Sequence, residues 1–438
     1  MAENFRIDQP TKGLPLSSES LDRAKIRTAG WRLFDEDVPL PAAILRSSVL
    51  AQNSRWMRQF LAGFNASIAP HGKTTMSPQL FGLQQEDGCW GITLATCHQV
   101  QVARRHGCKR ILLANEVVGR SDIDYLVGEM AADPEFDFYC YVDSVESVDR
   151  LAEGVRRRDL RRPLKLLIEI GFMGGRCGAR SVTKAVEVAQ RVSSRGGGAA
   201  MASAQSSSTA RLALAGIAGF EGLYQTRWNE DRIQLVEAFL KLIVDAAIEI
   251  DRLGLFNGDE TILSAGGSAY YDLVLERFSA VKLTRPVKVL TRSGCYLTQD
   301  SGLYHRLQAE LGQRSGRATE INPQPGDALE IWTYVLSRPE PELAILSAGR
   351  RDFGTDSGNP VPLKWTRHAE SDRQLSGCEI IGVSDQHAHM RIPAGHPLQV
   401  GNMVGLGVSH PCTTFDKWKL IYLVDDDYRI IDAIQTFF

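Results

Sequence analysis

Asp137-Phe138-Tyr139-Cys140-Tyr141-Val142 and Leu164-Lys165-Leu166-Leu167-Ile168-Glu169-Ile170 are two apolar runs of strand length. Between them Ser147–Arg157 has helical periodicity, and Asp143 followed by Glu146 reads as a helix start. Strand, helix and strand in so short a span predict a βαβ unit. The same alternation extends outward in both directions, from about residue 64 to 292. Further strands are expected at Ala66–Ala69, Gly91–Leu94, Arg110–Leu113, Leu214–Leu223, Thr261–Ser264 and Val287–Leu290. Helices are expected at Gln99–His106, Thr183–Val192 and Asn229–Leu253, the last with Gly254 as its stop. Eight such units predict a (β/α)8 barrel. A doubly wound open sheet is the competing arrangement, because periodicity does not close a ring.

From about Cys295 the pattern changes. Strand-like runs at Ala328–Val335, Glu342–Ser347, Cys378–Val383, His389–Ile392 and Met403–Val408 alternate with turn signals, and Asp426-Asp427 marks a late turn. The expected organisation is an N-terminal segment 1–40 packing on the β domain, a barrel over 41–294, and a mostly β domain over 295–438. Residues 194–210, rich in Gly, Ala and Ser, read as a flexible insertion in the barrel.

The 438 residues are 43% hydrophobic and carry 50 basic against 52 acidic side chains, a net charge of −2. That balance gives no electrostatic reason to expect nucleic acid or an anionic membrane as partner. No apolar run reaches the length of a membrane span, and Met1–Arg6 lacks the apolar core of a secretion signal. The eight cysteines are dispersed, with no Cys-x-x-Cys pair, which fits reduced thiols in a cytoplasmic protein.

Several residues could carry chemistry. Lys73, in Pro70-His71-Gly72-Lys73-Thr74, follows the first barrel strand and so falls at the C-terminal rim, where a lysine can form an imine and act as a base. Its plain alternative is a solvated surface lysine. Ser264-Ala265-Gly266-Gly267-Ser268 follows the seventh strand, the usual place for a phosphate loop in a barrel, although it could be an ordinary turn. Arg176 lies in the glycine-rich loop Gly171–Gly178, able to meet a phenolate or phosphate or to serve the loop alone. Tyr224, near the sixth strand's end, could reach the mouth or only pack. His410 and Cys412 would share a face if extended and could hold one ion, needing a third partner for tight binding.

Taken together these motifs resemble the fold-type III pyridoxal phosphate enzymes, alanine racemase-like in their barrel. The nearest branch holds metal-dependent D-serine dehydratase, D-threonine aldolase and D-3-hydroxyaspartate dehydratase. Pro41-Ala42-Ala43-Ile44-Leu45 with Asn53 and Met57 is similar to that family's opening segment. Pro70-His71-x-Lys73-Thr74 resembles its cofactor-lysine motif, Arg176-Cys177-Gly178 its phenolate-contacting loop, and Ser264-x-Gly266-Gly267 its phosphate loop. Tyr224 matches the residue near the pyridine nitrogen, Gly294-x-Tyr296 a further cofactor-side motif, and His410-x-Cys412 the metal pair. The chain departs from the family at Ala69, Thr75, Ser347 and Thr413–Trp418.

The resemblance implies pyridoxal 5′-phosphate on Lys73 and Zn2+ or Mn2+ on His410 and Cys412. Asp352, Asp356 and His387 are the candidates for a third ligand. It implies dehydration of a D-β-hydroxy-amino acid such as D-serine to a keto acid and ammonia, by a homodimer. A D-threonine-type aldolase is the alternative. An amino-acid racemase or a cofactor-carrier protein comes after it.

Overall fold

The computed structural model describes residues 4–7, 10–16, 20–196, 211–226, 231–367 and 373–438. The chain forms two compact units. One comprises Leu61–Lys73 and Gly88–Gly294; the other comprises Met1–Phe60, Thr74–Asp87 and Cys295–Phe438.

The first unit is the barrel. Its parallel strands are β1 (Ser67–Ile68), β2 (Ile92–Leu94), β3 (Arg110–Glu116), β4 (Asp137–Val142), β5 (Leu164–Ile170), β6 (Leu212–Gly219), β7 (Thr261–Ser264) and β8 (Val287–Thr291). They pair in the order β1-β8-β7-β6-β5-β4-β3-β2. The two ends then meet: the N–H of Trp90 donates to Ile68 O at 2.8 Å and that of Thr93 to Pro70 O at 2.9 Å, with a parallel bridge between His71 and Thr93. Those bonds close the ring and decide for the barrel over the open sheet. Leu112, Tyr139, Tyr141, Leu167, Ala218, Ile262 and Leu290 fill one core cluster with Ala69.

The covering helices bury the stripes their periodicity predicts. Val145–Arg157 buries Val148, Leu151, Ala152 and Val155. It is capped by Ser144, whose side chain accepts from the Ser147 N–H while Ser147 reaches back, and not by Asp143. The Asp143 carboxylate is taken by the Gly178 N–H at 2.9 Å, a loop 35 residues away. Arg232–Arg252 is capped by Asp231 and followed by Gly254 at φ +66°, the left-handed stop that glycine adopts without strain. Strand β6 ends at Gly219, earlier than the sequence suggests, because Gly222–Thr226 turn into a 3-10 helix. The helix Val182–Gly196 takes in the first residues of the expected 194–210 insertion; positions 197–210 lie outside the described residues, as does Asn229.

The second unit is built on an antiparallel sheet. Leu329–Glu340 pairs with Leu343–Leu346, with Met403–Gly407 and with Ala42–Arg46. Opposite Trp332 stands Gly405, where a Cβ would come within 2.8 Å of the indole. Ala42–Arg46 corrects the domain boundary expected at 41. It also pairs in parallel with Leu420–Val424, and its buried run Ala42-Ala43-Ile44-Leu45 is that of a central strand covered on both faces. The N-terminal segment contributes Ile7, Leu14, Leu21 and Ile26 to a core with Trp332, Tyr422 and Ile430, and Arg23 forms a two-pronged ion pair with Asp432 at 2.7 and 2.8 Å. Among the described residues no helix is long and apolar enough to cross a membrane.

Candidate active site

The C-terminal ends of the barrel strands gather most of the candidates. Lys73 sits in the 3-10 turn Gly72–Thr74 after β1; it is exposed, and its ammonium forms no hydrogen bond or ion pair among the described residues. His71, beside it, is held neutral: burial first, then the charges of Lys73 and Arg292, push its pKa well below the histidine range. Its buried Nδ1 is unpaired. Arg292, after β8, is itself buried and donates to Ser264 Oγ and Gly219 O, both at 2.6 Å. Ser264 in turn donates to Leu290 O at 2.9 Å, so its hydroxyl braces Arg292 and the sheet.

The loop after β7 binds an anion, but the anion is the protein's own. The N–H groups of Gly266 and Gly267 donate to the two carboxylate oxygens of Glu221 at 3.1 and 2.9 Å, and Glu221 is fully buried. Gly266 has φ +80°, the conformation that aims these donors together. Ser268 stands half-buried beside them. Arg176 is exposed, its guanidinium 4.8 Å over the Phe220 ring, and a Cβ on Gly267 would meet that same ring at 2.8 Å. Arg176 and the glycine loop therefore bracket Phe220. Tyr224 is buried, stacked on Phe172 with centroids 4.2 Å apart and edge-on to Phe239, which is the packing role. Tyr296 is buried in the other unit, in the turn after Gly294. The groups that fit a phosphorylated carbonyl cofactor are the exposed Lys73 amine, the exposed Arg176 guanidinium and the half-buried Ser268, with the neutral His71 imidazole beside Lys73.

Two carboxylates stand at the ends of neighbouring barrel regions. Burial first, then a hydrogen bond and charge from Glu116, raise the pKa of Glu169 to about 8. Glu116 ends β3 and Glu169 lies near the end of β5. Cys177 and Asp143 offer ligand atoms near Glu116 as well. Burial and then Glu116 hold that thiol up at about 11. No local pattern announces Glu116 or Glu169; strand ends facing a barrel mouth are the signal that could have found them.

In the other unit, Cys295, His410 and Cys412 bring one ligand atom each within 4.8 Å of one another. Cys412 Sγ lies 3.7 Å from Cys295 Sγ and 3.4 Å from Thr74 Oγ1. His410 Nδ1 is 3.4 Å from Ser357 Oγ. The expected extended geometry is replaced: the strand ends at Gly407 and Cys412 begins a helical turn after Pro411, so a turn brings thiol and imidazole together. The Cys412 thiol is pushed well below its ordinary pKa by the hydrogen bond from Cys295, against burial, and then by His410. Burial opposes the charge on His410, but Cys412, Asp356 and Asp300 raise its pKa on balance. The three expected third ligands are elsewhere engaged or placed. Asp352 is buried against Lys12 at 3.0 Å and the Gly349 N–H at 2.9 Å, Asp356 accepts from Thr413, and His387 is exposed. None of the eight cysteines forms a disulfide.

Residues 328–424 match a protein family described as "Putative serine dehydratase domain". Over 330 residues the chain is 25% identical to 3-hydroxy-D-aspartate aldolase of Paracoccus denitrificans (strain Pd 1222), covering 74% of this chain and 76% of the relative. Its fold is that of D-threonine aldolase from Filomicrobium marinum, with TM-score 0.72 and 21% identity over 93% of this chain and 97% of that one. D-threo-3-hydroxyaspartate dehydratase from Delftia sp. HT23 has it too, with TM-score 0.68 and 16% identity over 93% and 99%. So does an alanine racemase-like protein of Idiomarina loihiensis, with TM-score 0.67 and 14% identity over 91% and 96%. A cysteine-to-alanine variant of D-threo-3-hydroxyaspartate dehydratase is described as metal-free, and a histidine two positions earlier has also been replaced by alanine.

Proposed function

We propose that this chain is a pyridoxal phosphate- and metal-dependent lyase that dehydrates a D-β-hydroxy-amino acid such as D-serine, giving a keto acid and ammonia. The observation that carries the reading is the cluster of His410 and Cys412 with a second thiol. A dehydratase of this fold has a histidine and a cysteine at the same spacing, and its cysteine variant is described in the metal-free form.

Pyridoxal phosphate, when bound, would supply an electron sink for the α-carbon; Lys73, Arg176 and Ser268 are the residues that would hold it. A Zn2+ or Mn2+ ion held by His410 and Cys412 supplies a Lewis acid for the β-oxygen. The chain's own residues set the rest. Lys73 is unpaired and exposed, so its amine is free to accept the α-proton. His71 stays neutral next to it and withholds a competing positive charge. The raised pKa of Glu169 keeps it protonated at neutral pH and spares the mouth a negative charge that would repel the substrate carboxylate. Thr74, the next residue after Lys73 in the chain, touches the Cys412 sulfur.

The second reading is a retro-aldol cleavage to glycine and an aldehyde, favoured by the aldolase names of two of the proteins above. Purified protein given D-serine, D-threonine and D-3-hydroxyaspartate separates them. Ammonia and keto acid support dehydration, glycine and aldehyde support cleavage, and neither product sinks both.

A further inference from the structure

His410 and Cys412 alone would give an ion two protein donors. Three protein donors with one open position are the pattern of catalytic zinc sites. Cys295 is 3% exposed, and its turn is pinned because the N–H groups of Thr298 and Gln299 donate to its carbonyl at 3.2 and 2.8 Å. Those bonds fix the backbone that carries the Cys295 sulfur beside Cys412. Two sulfurs each about 2.3 Å from a tetrahedral ion stand roughly 3.8 Å apart. The Cys295 and Cys412 sulfurs are 3.7 Å apart, with the His410 ring nitrogen inside the same cluster. Two of the oxygen donors expected from the sequence are engaged elsewhere: Asp352 on Lys12, Asp356 on Thr413.

We propose that Cys295 is the third protein ligand of the metal, making a Cys2His site with one open position. Its two thiolates select zinc and other thiophilic ions over manganese and magnesium, whose preferred ligands are oxygens. Binding forms a metal–sulfur bond at Cys295 and releases the thiol proton to solvent. The inference rests on the metal reading above and adds a ligand and a selectivity to it.

The test uses full-length protein stripped of metal under reducing conditions and reloaded with cobalt. Thiolate-to-cobalt charge-transfer absorption per ion counts the sulfurs. Wild type should show the intensity of two thiolates, and Cys295→Ser and Cys412→Ser each about half. In competition dialysis, Cys295→Ser should move the zinc-to-manganese ratio toward manganese by about tenfold or more. Should Cys295→Ser fail to fold, alkylation of wild type provides the same decision, since zinc must protect both Cys295 and Cys412 from iodoacetamide. If Cys295→Ser keeps full intensity and selectivity while Cys412→Ser loses them, or if zinc protects Cys412 alone, Cys295 only packs and the two-residue metal reading survives. If wild type shows no thiolate band and no zinc protection, both readings fall.

Discussion

At the scale of single residues, the barrel mouth separates groups that are free from groups already committed. Lys73 is free. Replacing it by Ala removes an exposed side chain with no partner, so stability should change by no more than about 0.5 kcal/mol. Borohydride trapping with labelled cofactor should nevertheless mark a peptide containing Lys73 in wild type and leave the variant unlabelled; label on any other lysine would refute the assignment. Glu221 is committed. Glu221→Ala leaves the Gly266 and Gly267 N–H groups buried without an acceptor, and about 2–4 kcal/mol of stability should go with them. If those donors can take a phosphate once Glu221 is gone, inorganic phosphate should restore part of the lost melting temperature in the variant and add little to wild type. Equal shifts in both proteins would show that the phosphate binds elsewhere. Much of this site was legible in the sequence, since Lys73 and the glycine pair were both placed by counting strands. Glu221 was not, because its partners are 45 and 46 residues away and nothing local marks a carboxylate that folds back onto a loop. Cys295 is 117 residues from Cys412, and only its place between Gly294 and Tyr296 hinted at a role.

At the scale of elements, strand ends control protonation. Glu169 keeps its proton in the folded state up to about pH 8, whereas an ordinary glutamic acid releases it near 4.5. The folded form therefore binds more protons over that interval, and stability is full below the lower value and lost as pH rises through about 8. Asp300 in the other unit, raised to about 7 chiefly by burial, acts in the same direction. Urea midpoints should fall between about pH 5 and 8, and Glu169→Gln should flatten the slope; an unchanged slope in the variant would remove Glu169 as a contributor. The strands themselves were the most readable part of the sequence. Asp137–Val142, Leu164–Ile170 and Thr261–Ser264 begin and end where their apolar runs do, because strands buried on both faces need uninterrupted apolar side chains. Ends set by long-range bonds were not readable. Asp143 has the composition of a cap, but the Gly178 N–H recruits it and Ser144 caps instead. Ser144→Ala should accordingly cost about 1 kcal/mol in a thermal melt and Asp143→Ala should leave the helix cap intact, an ordering that the reverse result would overturn.

At the scale of the whole molecule, the chain is divided in a way that sequence order conceals. Composition marks the change near Cys295, but Ala42–Arg46 and the N-terminal segment join the C-terminal sheet through pairings that span almost the full length of the chain. We propose that the active form is a homodimer, two-fold pairing being the commonest assembly, and a fully active monomer in sedimentation would count against it. The first thirty residues can be tested more sharply. Ile7, Leu14, Leu21 and Ile26 are all at most 7% exposed in the core shared with Trp332 and Tyr422. At about 1.5–3 kcal/mol for each buried side chain, deleting them removes roughly 6–12 kcal/mol. A folded domain has only about 5–15 kcal/mol to lose. Arg23 would go as well, leaving Asp432 without its two-pronged partner. A chain starting at residue 31 should therefore fail to hold the unit that contains Cys295, His410 and Cys412, and it should lose cobalt binding. The barrel's closing bonds, from Trp90 to Ile68 and from Thr93 to Pro70, lie wholly within the other unit and are untouched by the deletion. Hydrogen exchange on the truncated chain should then find the amides of β3 to β6 still protected while those of Leu329–Glu340 exchange freely. Protection of both sets, with cobalt binding intact, would mean that the N-terminal segment only decorates the sheet it packs on.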